Sequence, residues 1–285
     1  MSAAAQMETG TKVDSSKPAP QSKLKKVLIG LLIFVACAGG AIGGVLGGIA
    51  GSGGMVKGTW KTNYGQYMTV TDGYWYTVSS WGKSATKISK LTGSYAITQN
   101  SADDAYNPSK WVKTEYHATA DGWAFCSSVY DAETAAAAEG KDTATIYKSA
   151  DAAAGCNGFP HSLVTPYAMP IAGNWKTNWD ETLSISATEW KGKGSGADAK
   201  EFAYRIEAYG ESFILMQNPA DSEYNPSKWT LVEFKKSGSE FSYCMSVYDG
   251  ANAVAALTKD TSSIYDAANS ASGCNGFGHT VAKAA

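Results

Sequence analysis

The sequence predicts an all-β protein: two tandem small antiparallel β-barrel-like domains, each with one short helix, after an N-terminal transmembrane helix. Three observations carry this. A block of about 110 residues is written twice. Each copy alternates aromatic or β-branched residues with polar ones between tight-turn signals. Ahead of both copies, a run of uncharged residues follows a short lysine cluster. Composition agrees. The 30 Gly, 16 Tyr and 9 Trp in 285 residues favour aromatic-rich strands joined by turns. Only 18% of residues are charged, too few for a disordered or coiled-coil chain.

Residues 1–26 carry Ala, Ser, Thr, Lys and Pro with no apolar period and read as a disordered cytoplasmic tail. Lys23-Leu24-Lys25-Lys26 then precedes an uncharged stretch from Val27 to Val56. Residues 27–50 are long enough to cross a bilayer, which takes about 20 apolar helical residues. The lysines place the N-terminus inside and everything after the helix outside. Two processed forms also fit. Ala36-Cys37-Ala38 suits a signal-peptidase site, and Phe34-Val35-Ala36-Cys37 suits a lipid attached at Cys37. The retained helix is preferred because Ile42, Val45, Leu46 and Ile49 continue the apolar run past Cys37. Gly39, Gly43 and Gly47, and likewise Gly40, Gly44 and Gly48, recur every fourth residue, so each series marks one helix face. Small residues at that spacing let helix backbones approach in lipid, which points to a homo-oligomer or a membrane-protein partner. They equally fit a soft hinge, since glycine weakens helices. A Gly-rich linker, 51–57, leads out.

The first repeat is 58–164 and the second 173–282, joined by the proline-bracketed linker 165–172. Gly58-Thr-Trp-Lys-Thr-Asn63 recurs as Gly173-Asn-Trp-Lys-Thr-Asn178. From Gln99 onward the copies keep a constant offset of 118. Periods this long indicate tandem globular domains. Met68–Thr71 and Tyr74–Val78 flank Asp72-Gly73, a type I′ hairpin signal. Phe202–Ile206 and Ser212–Met216 are taken as the matching hairpin of the second copy. Trp229–Phe234 and Phe241–Val247 flank another turn at Lys236-Ser-Gly-Ser. Ala132–Glu139 and Gly250–Leu257 read as two-turn helices, with Asp131 and Asp249 as caps. The sum is about seven strands and one helix per copy, a small barrel or sandwich.

Each repeat holds two cysteines, thirty residues apart: Cys126 and Cys156, Cys244 and Cys274. The simplest pairing is within each repeat, and it supports export, since disulfides persist outside the reducing cytosol. A zinc or redox site lacks the expected C-x-x-C.

The candidate recognition elements are two matching loops. The first offers Asp103, Tyr106, Asn107, Lys110 and Trp111, the second Asp221, Tyr224, Asn225, Lys228 and Trp229. A bland reading competes: Asn-Pro-Ser forms turns and Asp caps loops. A calcium site through Asp103, Asp104 and Asn107 is short of oxygen ligands. His161 and His279 occupy equivalent positions after the second cysteine and read as partly buried, hydrogen-bonded histidines. With no G-x-S-x-G, no metal-ligand spacing and one arginine, Arg205, no catalytic residue, metal or cofactor is expected. A net charge of −2 without a basic face disfavours nucleic acid.

Gly58-Thr-Trp60 and Gly173-Asn-Trp175 resemble the G-x-W of lipocalins, and Gly58 to Val70 resembles the first strand of avidins. Both belong to the calycin group of small β-barrels. That resemblance implies a tryptophan closing one barrel end and a small apolar ligand in the other. The later calycin motifs, a T-D-Y turn and an arginine packed on the tryptophan, are missing. The Cys and Gly-Cys-Asn-Gly-Phe pattern is also similar to uncharacterised bacterial envelope proteins. The functional expectation is a membrane-anchored, extracytoplasmic, non-catalytic binding or assembly protein, in a bacterial inner membrane and facing the periplasm. The alternatives are a calycin-like carrier of a small apolar ligand and an envelope enzyme.

Overall fold

Strands that alternate one buried and one solvated face must bury the apolar face, and a sheet that curls until its edges pair leaves no edge exposed. Both repeats take that solution. The computed structural model describes residues 56–196 and 199–285. The expected tail, the expected transmembrane helix at 27–50 and its six glycines lie outside the described residues.

The first barrel is formed by β1 (Gly58–Thr62), β2 (Tyr67–Val70), β3 (Tyr74–Ser79), β4 (Gly82–Leu91), β5 (Tyr95–Gln99), β6 (Trp111–Ala118), β7 (Trp123–Ala132) and, after α1 (Ala135–Gly140), β8 (Ser162–Pro166). The second is formed by β9 (Gly173–Thr177), β10 (Thr182–Ile185), β11 (Glu189–Lys193), β12 (Glu201–Tyr209), β13 (Phe213–Gln217), β14 (Trp229–Ser237), β15 (Glu240–Gly250) and, after α2 (Ala253–Thr258), β16 (Thr280–Ala284). Each is an antiparallel meander closed by pairing its last strand with its first. The count is eight strands per repeat, not seven. The additional strand follows the disulfide loop, and β8 includes Thr165 and Pro166, which pair with Lys61 and Trp60. Among the described residues no helix is long and apolar enough to cross a membrane.

Several local expectations change. The Asp72-Gly73 turn has no positive φ and so is not type I′. Thr71 holds it instead: its Oγ1 accepts from the Gly73 and Tyr74 amides at 3.3 and 3.1 Å. Ser186 does the same for Thr188 and Glu189, which identifies β10–β11 as the counterpart of β2–β3. The β12–β13 hairpin therefore matches β4–β5. Asp131 and Asp249 do not cap helices, because β7 and β15 run past them. The caps are Thr134 and Asn252, whose side chains accept from Ala137 N (3.1 Å) and Ala255 N (2.8 Å).

Aromatic side chains fill both interiors. Trp123 is fully buried and touches Trp60, Trp75, Tyr116 and Phe125 at ring separations of 5.4–5.8 Å. In the second barrel Trp190 packs on Phe241 and Tyr243 at 6.3 and 5.3 Å. The chain entering each barrel is pinned by the first-strand tryptophan: Trp60 Nε1 donates to Val56 O at 2.8 Å and Trp175 Nε1 to Ile171 O at 2.9 Å. Val56 and Ile171 are both fully buried.

The barrels share an apolar seam. Tyr67, Tyr76 and Ala85 on the outer wall of β2–β4 pack with Ala208, Phe213, Leu215, Leu231 and Leu257 of β12–β14 and α2. Polar contacts ring it. Tyr67 Oη donates to Glu211 at 2.5 Å, Tyr209 Oη to Tyr167 O at 3.1 Å, and Lys83 Nζ to Glu233 at 3.1 Å.

Candidate binding surface on the loops

Both expected disulfides are present, Cys126–Cys156 and Cys244–Cys274. Each ties a long loop against the outer wall of its barrel. The loop is tight: Lys148 N donates to Gly155 O at 2.8 Å and Gly155 N to Asp151 O at 2.7 Å. A Cβ at Gly155 would lie 2.2 and 2.3 Å from the Lys148 and Asp151 carbonyl oxygens. Backbone oxygens held in hydrogen bonds cannot give way. Gly155→Ala is therefore expected to cost about 2–3 kcal/mol by urea denaturation, while an alanine at Gly158, whose Cβ meets nothing within 4 Å, costs less through its positive φ alone.

His161 and His279 lie under these loops. They are 1% and 4% exposed, and neither ring has a hydrogen-bond partner, contrary to the expected hydrogen-bonded state. Packing holds them instead. His161 lies 5.5 Å from the Tyr147 ring and 5.1 Å from the His117 ring, and His279 stacks on Tyr265 at 5.3 Å. His117 shares a 2.8 Å hydrogen bond with Tyr147 Oη. Burial, then the neighbouring His161, holds His117 below the ordinary imidazole value. Burial pushes Tyr147 up to about 12, so its hydroxyl stays protonated at neutral pH. At His117 the unfolded chain takes up a proton near pH 6.5, which the folded state resists. Stability is full above that pH and falls below it. Thermal melts at pH 7.5 and 5.5 should differ less in His117→Gln than in the native chain. Lys235 stands at this position in the second copy.

The matching loops 100–110 and 218–228 hold themselves together. Asn100 Nδ2 donates to Asn107 O at 3.1 Å, and Asn218 Nδ2 to Asn225 O at 2.9 Å. Gln99 and Gln217 reach Ser109 O and Ser227 O. Asp104 Oδ1 accepts from the Tyr106 and Asn107 amides at 3.0 and 2.7 Å, the pattern of a capped turn. Hydrogen bonding from Ser101 holds the Asp103 carboxyl below its usual range. Lys110 pairs with Glu133. Trp111 and Trp229 start strands and are half-buried against the α1 and α2 clusters, Trp229 also lying under Arg205 at 5.5 Å. Asp221 and Lys228 are exposed and Asn225 has positive φ. The framework of the loop is thus Gln99, Asn100 and Asn107 with their counterparts. Its exposed aromatics are Tyr106 and Tyr224, 90% and 75% exposed.

These two tyrosines belong to a wider pattern. The exposed large apolar side chains among the described residues lie in, or within three residues of, connections that follow odd-numbered strands. Four positions keep an exposed aromatic in both copies: Tyr64 and Trp179, Tyr106 and Tyr224, Tyr130 and Tyr248, Phe159 and Phe277. The opposite turns, such as Thr71-Asp72-Gly73 and Thr92-Gly93-Ser94, are small and polar. The signal was legible in the repeat alignment, but exposure was not: an aromatic kept twice reads equally as core. Among the described residues no cluster of three or more His, Cys, Asp or Glu is placed to hold a metal ion.

The chain is thus a tandem of two closed, aromatic-filled, disulfide-stapled eight-stranded barrels with loop-borne surface aromatics. No family model matches its sequence, and no curated protein and no solved structure matches it.

Proposed function

We propose that this is a membrane-anchored, extracytoplasmic binding protein without catalytic activity, which holds an extended polymer on its loop aromatics. The observation that carries this is the retention of four exposed aromatic positions through a duplication, including a change from Tyr64 to Trp179. A core position would constrain shape. An exposed one that tolerates Tyr or Trp is held for a flat apolar face carrying a polar handle. Polysaccharides present such faces repeatedly, and the polar rims of the two loops, with Asp103, Asn107 and Lys228, suit their hydroxyls. Two linked sites bind one polymer more tightly than either alone. The carrier alternative needs an interior cavity. Trp75, Tyr116 and Trp123, and Trp190, Phe234 and Phe241, occupy those interiors, which favours a ligand outside.

The anchor in this reading is the helix at 27–50, with its N-terminus cytoplasmic and a self-associating or partner-binding role for the glycine faces. The two disulfides suit an oxidising compartment. The test uses the full chain in detergent, co-sedimented with insoluble peptidoglycan sacculi. Tyr106→Ala and Tyr224→Ala should each weaken retention, by about tenfold for a lost stacking contact of 1–1.5 kcal/mol, and the double variant should lose more than either. Retention unchanged in the double variant would remove these loops from the reading.

A further inference from the structure

The offset of 118 sets Lys90, Tyr95, Lys113 and Glu139 of the first barrel beside Ala208, Phe213, Leu231 and Leu257 of the second. In the second barrel all four are buried in the seam against the wall of the first, with exposures of 0–4%. In the first barrel the same face is free, and all four positions carry polar or charged groups joined in one network. Lys90 pairs with Glu139, and Tyr95 Oη donates to Glu139 at 2.7 Å. The Lys113 ammonium lies 5.5 Å over the Tyr95 ring and 3.6 Å from Glu115.

The other half of the seam is duplicated too. Strand register equates Tyr67, Tyr76, Lys83 and Ala85, the seat for the second barrel, with Thr182, Lys191, Glu201 and Ala203. In the second barrel these line an open concavity of about 660 Å³. A seat used once therefore recurs, unfilled, on the other barrel. Its charge is reversed at the decisive position. Lys83 meets Glu233 in the seam, whereas Glu201 would meet Glu115, the counterpart of Glu233, if the first barrel of another copy docked there.

We infer that the free α1 face of the first barrel and the β10–β12 concavity of the second are the two halves of a head-to-tail contact between copies of this chain. The Lys90–Tyr95–Lys113–Glu139 network and Glu201 keep that contact closed. Repeat arrays need polar terminal faces for the same reason: an apolar stacking face left open recruits the next unit. Like charges placed opposite each other reject a partner as effectively as a clash.

The test is the mass of the full chain in detergent by sedimentation over a hundredfold concentration range. Any association through the membrane segment is common to native chain and variants, so the difference between them reports this contact. The variant Lys90→Ala, Tyr95→Phe, Lys113→Leu, Glu139→Leu, Glu201→Lys should form an open, concentration-dependent series, associating at least tenfold more tightly than the native chain. A second variant, Lys90→Ala, Glu139→Leu, Glu201→Lys, leaves Lys113 on Glu115 and guards against misfolding. It should associate more weakly, but measurably. Either variant with both disulfides intact and native-like circular dichroism, yet with the mass of the native chain throughout, would overturn the inference.

Discussion

Replacing Cys244 and Cys274 together by serine is expected to cost about 3.5 kcal/mol, from the loop-closure entropy of a 30-residue separation. For a domain of about 110 residues that is a large fraction of total stability. Entropy alone treats the two bridges alike, since Cys126–Cys156 has the same separation. The surroundings do not. Loosening the loop of the second barrel also frees Thr261, which donates to Glu233 at 3.0 Å, and Glu233 is the group that Lys83 of the first barrel reaches. Loss of the second bridge should therefore weaken the seam, while loss of the first should stay within its own barrel. Guanidinium denaturation of the two serine pairs, followed by tryptophan fluorescence, separates these outcomes. Equal midpoints and equal cooperativity would mean that the second loop does not support the seam.

Lys83→Met is expected to cost about 2 kcal/mol, below the 3–5 kcal/mol typical of an orphaned buried charge because the lysine is 24% exposed. The carboxylate it leaves behind, Glu233, is largely buried, and one of its oxygens already has no partner. The first barrel pairs the equivalent Glu115 from its own strand, with Lys113 at 3.6 Å. This defines a rescue. Adding Leu231→Lys to Lys83→Met should return an ammonium to Glu233 while placing a charge in the apolar seam. The second barrel should regain stability, and the two barrels should unfold in separate transitions. A single sharp transition with unchanged midpoint would show that Lys83 does not join the barrels.

Much of the fold was legible because it is local or repeated. Turn residues and alternation mark strands, a fixed offset marks the duplication, and equal cysteine spacing leaves one simple pairing. Where local reading failed, it failed on competition between neighbouring groups. Asp131 and Asp249 are good caps in isolation, but pairing of β7 and β15 carries the strands past them, and Thr134 and Asn252 take the role. Asp72-Gly73 suits a type I′ turn, but the Thr71 hydroxyl satisfies the turn amides in another conformation. The two candidate loops were located from sequence, yet most of their retained polar residues hold the loop. Only exposure singles out Tyr106 and Tyr224.

The sequence by itself determined the β class, the two-fold repetition and the disulfide framework, since each rests on short-range periodicity or on comparing the chain with itself. Tertiary structure alone decided that the sheets close through β8 and β16, that aromatic rings fill the interiors, and that barrel docks on barrel. These depend on which face of a strand meets which distant wall. Lys113 and Leu231 occupy the same strand position in two copies of one domain, both are buried, and only the wall opposite them distinguishes a charged network covered by its own barrel from an apolar contact with the other.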